Sequence, residues 1–380
     1  MRRMQAGMST LLLAFAAVCG VGILCVVQCC TPRTPIAYRT DMQDAALLMR
    51  QCEERVAELR SGLGIPIDRH VDINATGLIG VEYSDITTSM GNLEAKRSVT
   101  NPEMAALMVR LYHEAGVEPG DTIAIGASGS FPGALFASLA AATAMDLNVL
   151  LILSCGASNW GANIPELTIL DMYAAARDLV PVDLLAASLG GRYDTGHDMM
   201  DEGRLFLLER LNRSVASVIL EPDLASSVEK RLSLYNLYCG AETQIAAFVN
   251  IGGADANIGE GLGVLDLAPG INYLTEDDAK PAADGGVLFA MGSQGIPVIH
   301  ILNVKMLLTA YQVGWDPVPL PAGTDGNIYY ETVDRTGRLF LLIGALAVYL
   351  SVLYALSLWY KVWEKKHGRE TAAETGREDF

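Results

Sequence analysis

The chain has 380 residues, a formal net charge of −17 and a 51% share of hydrophobic residues. That acidity excludes non-specific nucleic-acid binding, which needs a basic footprint. Three of the seven cysteines, Cys52, Cys155 and Cys239, lie between the two terminal apolar stretches and lack metal-site spacing. A disulfide scaffold is therefore excluded, while one disulfide or three thiols both remain open.

Residues 1–6 carry Arg2 and Arg3, and no charge follows until Arg33. The apolar stretch 7–30 exceeds the roughly 20 residues needed to cross a hydrocarbon core. It is longer than the roughly 7–15 residues of a signal-peptide apolar region and lacks a clear small-x-small exit. It is expected to stay as a transmembrane anchor. Residues 31–337 then hold 19 Lys and Arg against 39 Asp and Glu, a net of −20. An acidic ligand would need a focused, locally positive site in such a domain, and Lys96, Arg97 and Arg192 are its candidate cations.

Within that domain, Ala45, Leu48, Cys52, Val56 and Leu59 recur at helical spacing and predict a helix over 41–62. The run 78–81 fits a short strand. Asn101-Pro102-Glu103 opens a helix that stops near Gly116, with Asn as cap and Pro in the first turn. A strand at 122–125, a turn at 126–133, an Ala-rich helix at 134–145 and a strand at 149–153 follow. Strand, crossover helix and second apolar strand mark a parallel sheet covered on both faces. Helical patterns dominate about 165–240, and strands return at 245–251 and 297–302. The expected fold is α/β, with a mainly parallel sheet and helices on both faces. The second span, 338–361, is bounded by Arg338 and Lys361. Positive flanks put both termini in the cytoplasm and 31–337 outside. The tail 362–380 is charged and reads as disordered after about 364.

Ligands of open parallel sheets bind beyond the carboxyl ends of strands, and polar, glycine-rich loops stand there. Gly126 to Gly133 offers Gly126, Ser128, Gly129 and Ser130, fit for an anion at a helix N-terminus or for a plain tight turn. It is neither a P-loop nor a dinucleotide fingerprint, and only approaches a nucleophile elbow. The loop 154–163 adds Ser158, Asn159 and Asn163, while Cys155 has no base beside it. Gly190 to Asp198 adds Arg192, and 250–259 adds Gly252 and Gly253. His300 ends an apolar strand run, which makes it the best candidate base, although such a histidine is more often a satisfied core residue. Ser128, Asp255 and His300 also fall in the order of a hydrolase triad, an order that is easily met by chance. Asp194, His197 and Asp198 could approach a metal, but no metal site or cofactor is expected.

Ser128-Gly129-Ser130-Phe131-Pro132, the run 156–163, Gly190-Gly191 with Asp194 and Gly196, Asn250-Ile251-Gly252-Gly253 and Pro297-Val298-Ile299-His300 together carry a resemblance. Over most of residues 1–360, both spans included, the chain resembles the bacterial poly-gamma-glutamate system protein family. The resemblance implies a membrane protein that works beside a poly-γ-glutamate ligase and its membrane partners in synthesis or export. It transfers no catalytic residues. Three readings follow: an accessory subunit binding the polymer or a small anionic group, a serine hydrolase or transferase on γ-glutamyl amides, or a purely structural subunit. For the last, Gly344, Ala347, Ser351 and Ala355 form a small-residue face on the second span.

Overall fold

The computed structural model describes residues 14, 16–23, 34–215, 217–239, 244–331 and 335–375. The chain divides into two compact units, Ile36–Tyr329 and the terminal segments Met1–Pro35 with Tyr330–Phe380.

The larger unit is α/β, built on a seven-stranded sheet. Its strands are β1 (Thr122–Ser128), β2 (Asn148–Ser154), β5 (Leu184–Ser188), β6 (Val218–Ile219), β7 (Ile245–Ile251), β8 (Gly270–Asn272) and β9 (Val298–Ile301). A separate two-stranded ribbon pairs β3 (Asn163–Ile164) with β4 (Leu167–Thr168). Across the large sheet the order is β6-β5-β2-β1-β7-β9-β8, parallel throughout except for β8 on the edge. From β1 the chain winds outward through β2, β5 and β6, then returns to the other side of β1 for β7. The switch point, where such sheets hold ligands, is therefore between β1 and β7.

Every residue of β1 is buried, as expected of a central strand whose Ile123 and Ile125 alternate with small Ala124 and Gly126. The helix Pro132–Ala144 is buried from Pro132 through Ala142. A helix apolar on all sides must be enclosed, and the helices Arg39–Gly62 and Glu103–Glu114 enclose it. The other core joins Ala124, Ile152 and Phe248 to Leu224, Val228, Val287 and Leu288 of the helices Leu224–Cys239 and Ala282–Gly292.

Two local expectations are revised. Residues 78–81 form no strand. They run extended across the loop after β2, where Gly80 N–H donates to the Trp160 carbonyl and Trp160 N–H to the Val81 carbonyl. β5, Leu184-Leu185-Ala186-Ala187-Ser188, lies in the stretch read as helical. Leu and Ala favour helix in isolation, and pairing with β2 overrides that preference. Cys52 and Cys155 are free and buried.

In the terminal unit, the helix Arg335–Thr375 contains the segment Leu339–Trp363, 25 residues long and apolar enough to cross a membrane. Leu339, Phe340, Leu346 and Val348 on it are exposed. Among the described residues it alone meets that criterion, not the two spans expected; most of 7–30 lies outside them. Residues 16–23 are helical, and Tyr349 donates its hydroxyl to the Ala16 carbonyl at 3.0 Å. The last helix continues to Thr375 instead of giving way near 364.

Candidate functional site

Three of the strand-end loops are laced together. After β1, Gly129 N–H donates to the Ser154 carbonyl at 2.9 Å, and Ala162 N–H donates to the Gly129 carbonyl at 2.7 Å. Ser158 N–H donates to Ser130 Oγ at 3.1 Å, Ser130 N–H to Ser128 Oγ at 3.3 Å, and Ser128 Oγ to the Ile251 carbonyl at 3.4 Å. Gly252 sits at φ +84°, and a Cβ there would lie 2.3 Å from Ser128 Oγ. Only glycine lets β7 turn so close to the end of β1.

A fourth segment, 80–92, crosses these loops. Asn163 clamps it by accepting from Val81 N–H at 3.0 Å and donating to the Val81 carbonyl and Thr87 Oγ1. Asn159 Oδ1 accepts from Gly91 N–H at 3.1 Å. The segment ends at Asn92, whose side chain caps the helix Leu93–Ser98 by accepting from Ala95 N–H at 2.7 Å. From that helix Lys96 reaches inward, 2% exposed.

These parts enclose a cleft of about 490 Å³. Its lining includes Ser128, Ser130, Phe131, Gly156, Ser158, Arg192, Gly253 and Asp255, so the loops after β1, β2 and β7 do share one site. Of the residues named from sequence, Lys96, Ser128, Ser130, Ser158, Arg192, Gly253 and Asp255 line it. Gly129, Asn159, Asn163 and Gly252 tie the surrounding loops together, while Gly126 lies inside β1 against Asn257. A larger hollow of about 810 Å³ opens at the amino ends of the strands, beside Gly120, Gln244 and Pro297. Asp121 is the sole charged residue among the described residues of its lining, and parallel sheets bind ligands at the opposite end.

The cations divide clearly. Lys96 Nζ donates to Ser158 Oγ at 2.7 Å and to the Ser130 carbonyl, and stands 3.9 Å from the centre of the Phe131 ring. None of the ion pairs among the described residues includes it. Burial alone lowers its pKa to about 7. Arg192, exposed at the rim, is 3.4 Å from Glu260. Arg97 is held by Asp316 and is not in the cleft lining.

Beneath the rim, Asp194 is buried and accepts from Ser188 Oγ at 2.6 Å, Ser227 Oγ at 2.5 Å and Arg231 at 2.7 Å. Arg231 also donates to Ser188 and Ser154 at the ends of β5 and β2. This network sustains a turn with Gly190, Gly191, Tyr193 and Asp194 all at positive φ, a conformation non-glycine residues adopt only when over-determined. Asp198 accepts from Arg192 N–H and Asp255 from Tyr193 N–H, both at 2.8 Å. Burial raises the Asp255 carboxyl above its usual range.

The triad order Ser128–Asp255–His300 is not assembled. Asn250 pairs with Gly126 on one side and His300 on the other, so His300 lies two strands, roughly 10 Å, from β1. Its Nδ1 meets Asn250 Nδ2 at 2.9 Å, and burial lowers its pKa to about 4. It is a neutral core histidine that steadies the Asn250–Gly252 turn. Cys155 is fully buried, and burial pushes its thiol up, away from nucleophile chemistry. Among the described residues no three His, Cys, Asp or Glu side chains gather to hold a metal.

The sequence reading missed Thr88 to Asn92, which line the cleft. Their available signal was the Asn92 cap ahead of Leu93-Glu94, which marks a helix start.

Fold and site together define an α/β protein with a cleft at the strand ends of its switch point. The chain matches no family model, no curated protein and no solved structure.

Proposed function

We propose that the chain is a membrane-anchored accessory component of poly-γ-glutamate synthesis or export, and that its cleft binds the polymer. In this reading the protein sits in the bacterial inner membrane with both termini cytoplasmic and the α/β domain outside. Its partners are the ligase and the membrane subunits of the same system. The supporting observation is the convergence of three strand-end loops on one cleft, with Arg192 at its rim. Poly-γ-glutamate alternates backbone amides with free carboxylates. Ser130 and Ser158 supply hydroxyls suited to amides, and the Arg192 guanidinium suits a carboxylate. Arg192 is exposed and loosely held, so it can exchange Glu260 for a ligand.

The test is equilibrium binding of poly-γ-glutamate oligomers to the detergent-solubilised full chain. Saturable binding that weakens with salt and falls about tenfold in Arg192→Ala is expected, because the charge-assisted bond lost there is screened by solvent at the rim. Absence of saturable binding overturns the reading.

A further inference from the structure

The three hydroxyls at the cleft floor are not equivalent. Ser128 Oγ is occupied by the Ile251 carbonyl and the Ser130 N–H, and Ser130 Oγ accepts the Ser158 N–H. Ser158 Oγ has one hydrogen bond among the described residues, to Lys96 Nζ at 2.7 Å. Both residues are buried, at 5% and 2% exposure, and both line the cleft. Gly91 closes over them; a Cβ there would stand 3.2 Å from Ser158 Oγ and from the Lys96 side chain.

We infer that Ser158 and Lys96 form a nucleophile–base pair for acyl transfer at an amide or ester carbonyl in this cleft. Assigning that amide to poly-γ-glutamate rests on the function proposed above; the pair itself does not. A serine hydroxyl is a weak nucleophile until a neighbouring base takes its proton, and a lysine serves as that base in Ser–Lys variants of the triad. The base must be able to be neutral. Lys96 faces the Ser130 carbonyl, the Ser158 hydroxyl and the Phe131 ring, and it has no ion pair with an acidic side chain among the described residues. The lining carboxylates, Asp198 and Asp255, each accept a backbone N–H on the opposite loops. Burial accordingly holds the amine near 7 and leaves much of it unprotonated at neutral pH. One amine hydrogen then stays on the Ser130 carbonyl while the lone pair accepts the Ser158 hydroxyl.

The steps balance. Ser158 Oγ attacks the carbonyl carbon as its proton passes to Lys96 Nζ. The tetrahedral oxyanion collapses, the C–N bond breaks, and the Lys96 ammonium returns the proton to the leaving amine. Water then attacks the acyl-serine ester and gives a proton to Lys96. Ser158 Oγ departs and recovers that proton, releasing the carboxylic acid. An amine in place of water would transfer the acyl chain instead. The Ser130 hydroxyl, which accepts from Ser158 N–H, keeps its own hydrogen for the oxyanion.

The test treats the detergent-solubilised full chain with an alkyl fluorophosphonate, whose P–F bond breaks as an activated serine oxygen bonds to phosphorus. Expected are one phosphonylated residue, mapped by peptide mass spectrometry to Ser158, and loss of labelling in Ser158→Ala. Lys96→Met and Lys96→Arg should each slow labelling at least about a hundredfold, since general-base removal costs about 10²–10⁴. The arginine variant separates the roles: it keeps a cation but cannot act as a neutral base. No labelling of the native chain, labelling on another serine, or a native rate in Lys96→Arg would overturn the pair. Labelling at Ser158 in a chain that does not bind poly-γ-glutamate would keep the pair and discard the polymer.

Discussion

Two cations are buried at the carboxyl ends of the sheet, and their surroundings could hardly differ more. Arg231 has a carboxylate, Asp194, at 2.7 Å and serine hydroxyls from β2 and β5 around it. Lys96 has a hydroxyl, a carbonyl and a ring face, but no carboxylate among the described residues. A buried charge costs several kcal/mol unless paired. Arg231 meets that requirement and serves the fold, fixing the turn that presents Arg192. Lys96 does not, and the fold retains it where the loops enclose a cleft. An uncompensated ionisable group in a cleft is the mark of a functional site.

The contrast can be broken experimentally, and Arg231 offers the largest effect on stability. Arg231→Ala strands the Asp194 carboxylate in the interior and should destabilise the protein by about 3–5 kcal/mol, read by denaturant unfolding of the larger unit's signal. Gly252→Ala places a methyl group 2.3 Å from Ser128 Oγ at φ +84°. It should cost about 2 kcal/mol in the same assay and lower cleft activity as the β1 loop shifts.

Lys96→Met should move stability the other way. In the folded chain Lys96 titrates near 7, against about 10.4 in an unfolded one. Between those values the unfolded state binds the extra proton, so stability rises with pH; below about 7 the full burial cost is present. The methionine variant should be about 1–4 kcal/mol more stable near neutral pH. It should also lose up to about 1.4 kcal/mol per pH unit of that rise. Equal or lower stability across that range would make Lys96 a structural residue like Arg231. The smallest effect belongs to Arg192→Ala, which should leave the unfolding midpoint essentially at the native value, as expected for an exposed side chain.

Much of the fold was legible because its signals are local. β1, β2, β7 and β9 are apolar runs, and Pro102 and Pro132 mark helix starts within a residue or two. β5 was not legible, because Leu-Leu-Ala-Ala carries helical propensity and becomes a strand through pairing alone. The loops were found by the rule that ligands sit at strand ends, and that rule also placed Ser158 in view. What the sequence could not show is that residues 80–92 fold over the loop after β2 and deliver Lys96 to Ser158, 62 positions away. Asn159 and Asn163 resemble ligand donors on paper. Their amides are instead spent holding that segment in place.

The central claim is that Lys96 is an amine able to lose its proton at the floor of the cleft. It is tested most directly by following the Lys96 side-chain carbon resonance against pH in the ¹³C-lysine-labelled full chain, assigned by its disappearance in Lys96→Met. The account predicts a midpoint near 7. A midpoint near about 10, the value of an ordinary solvated lysine, would contradict it.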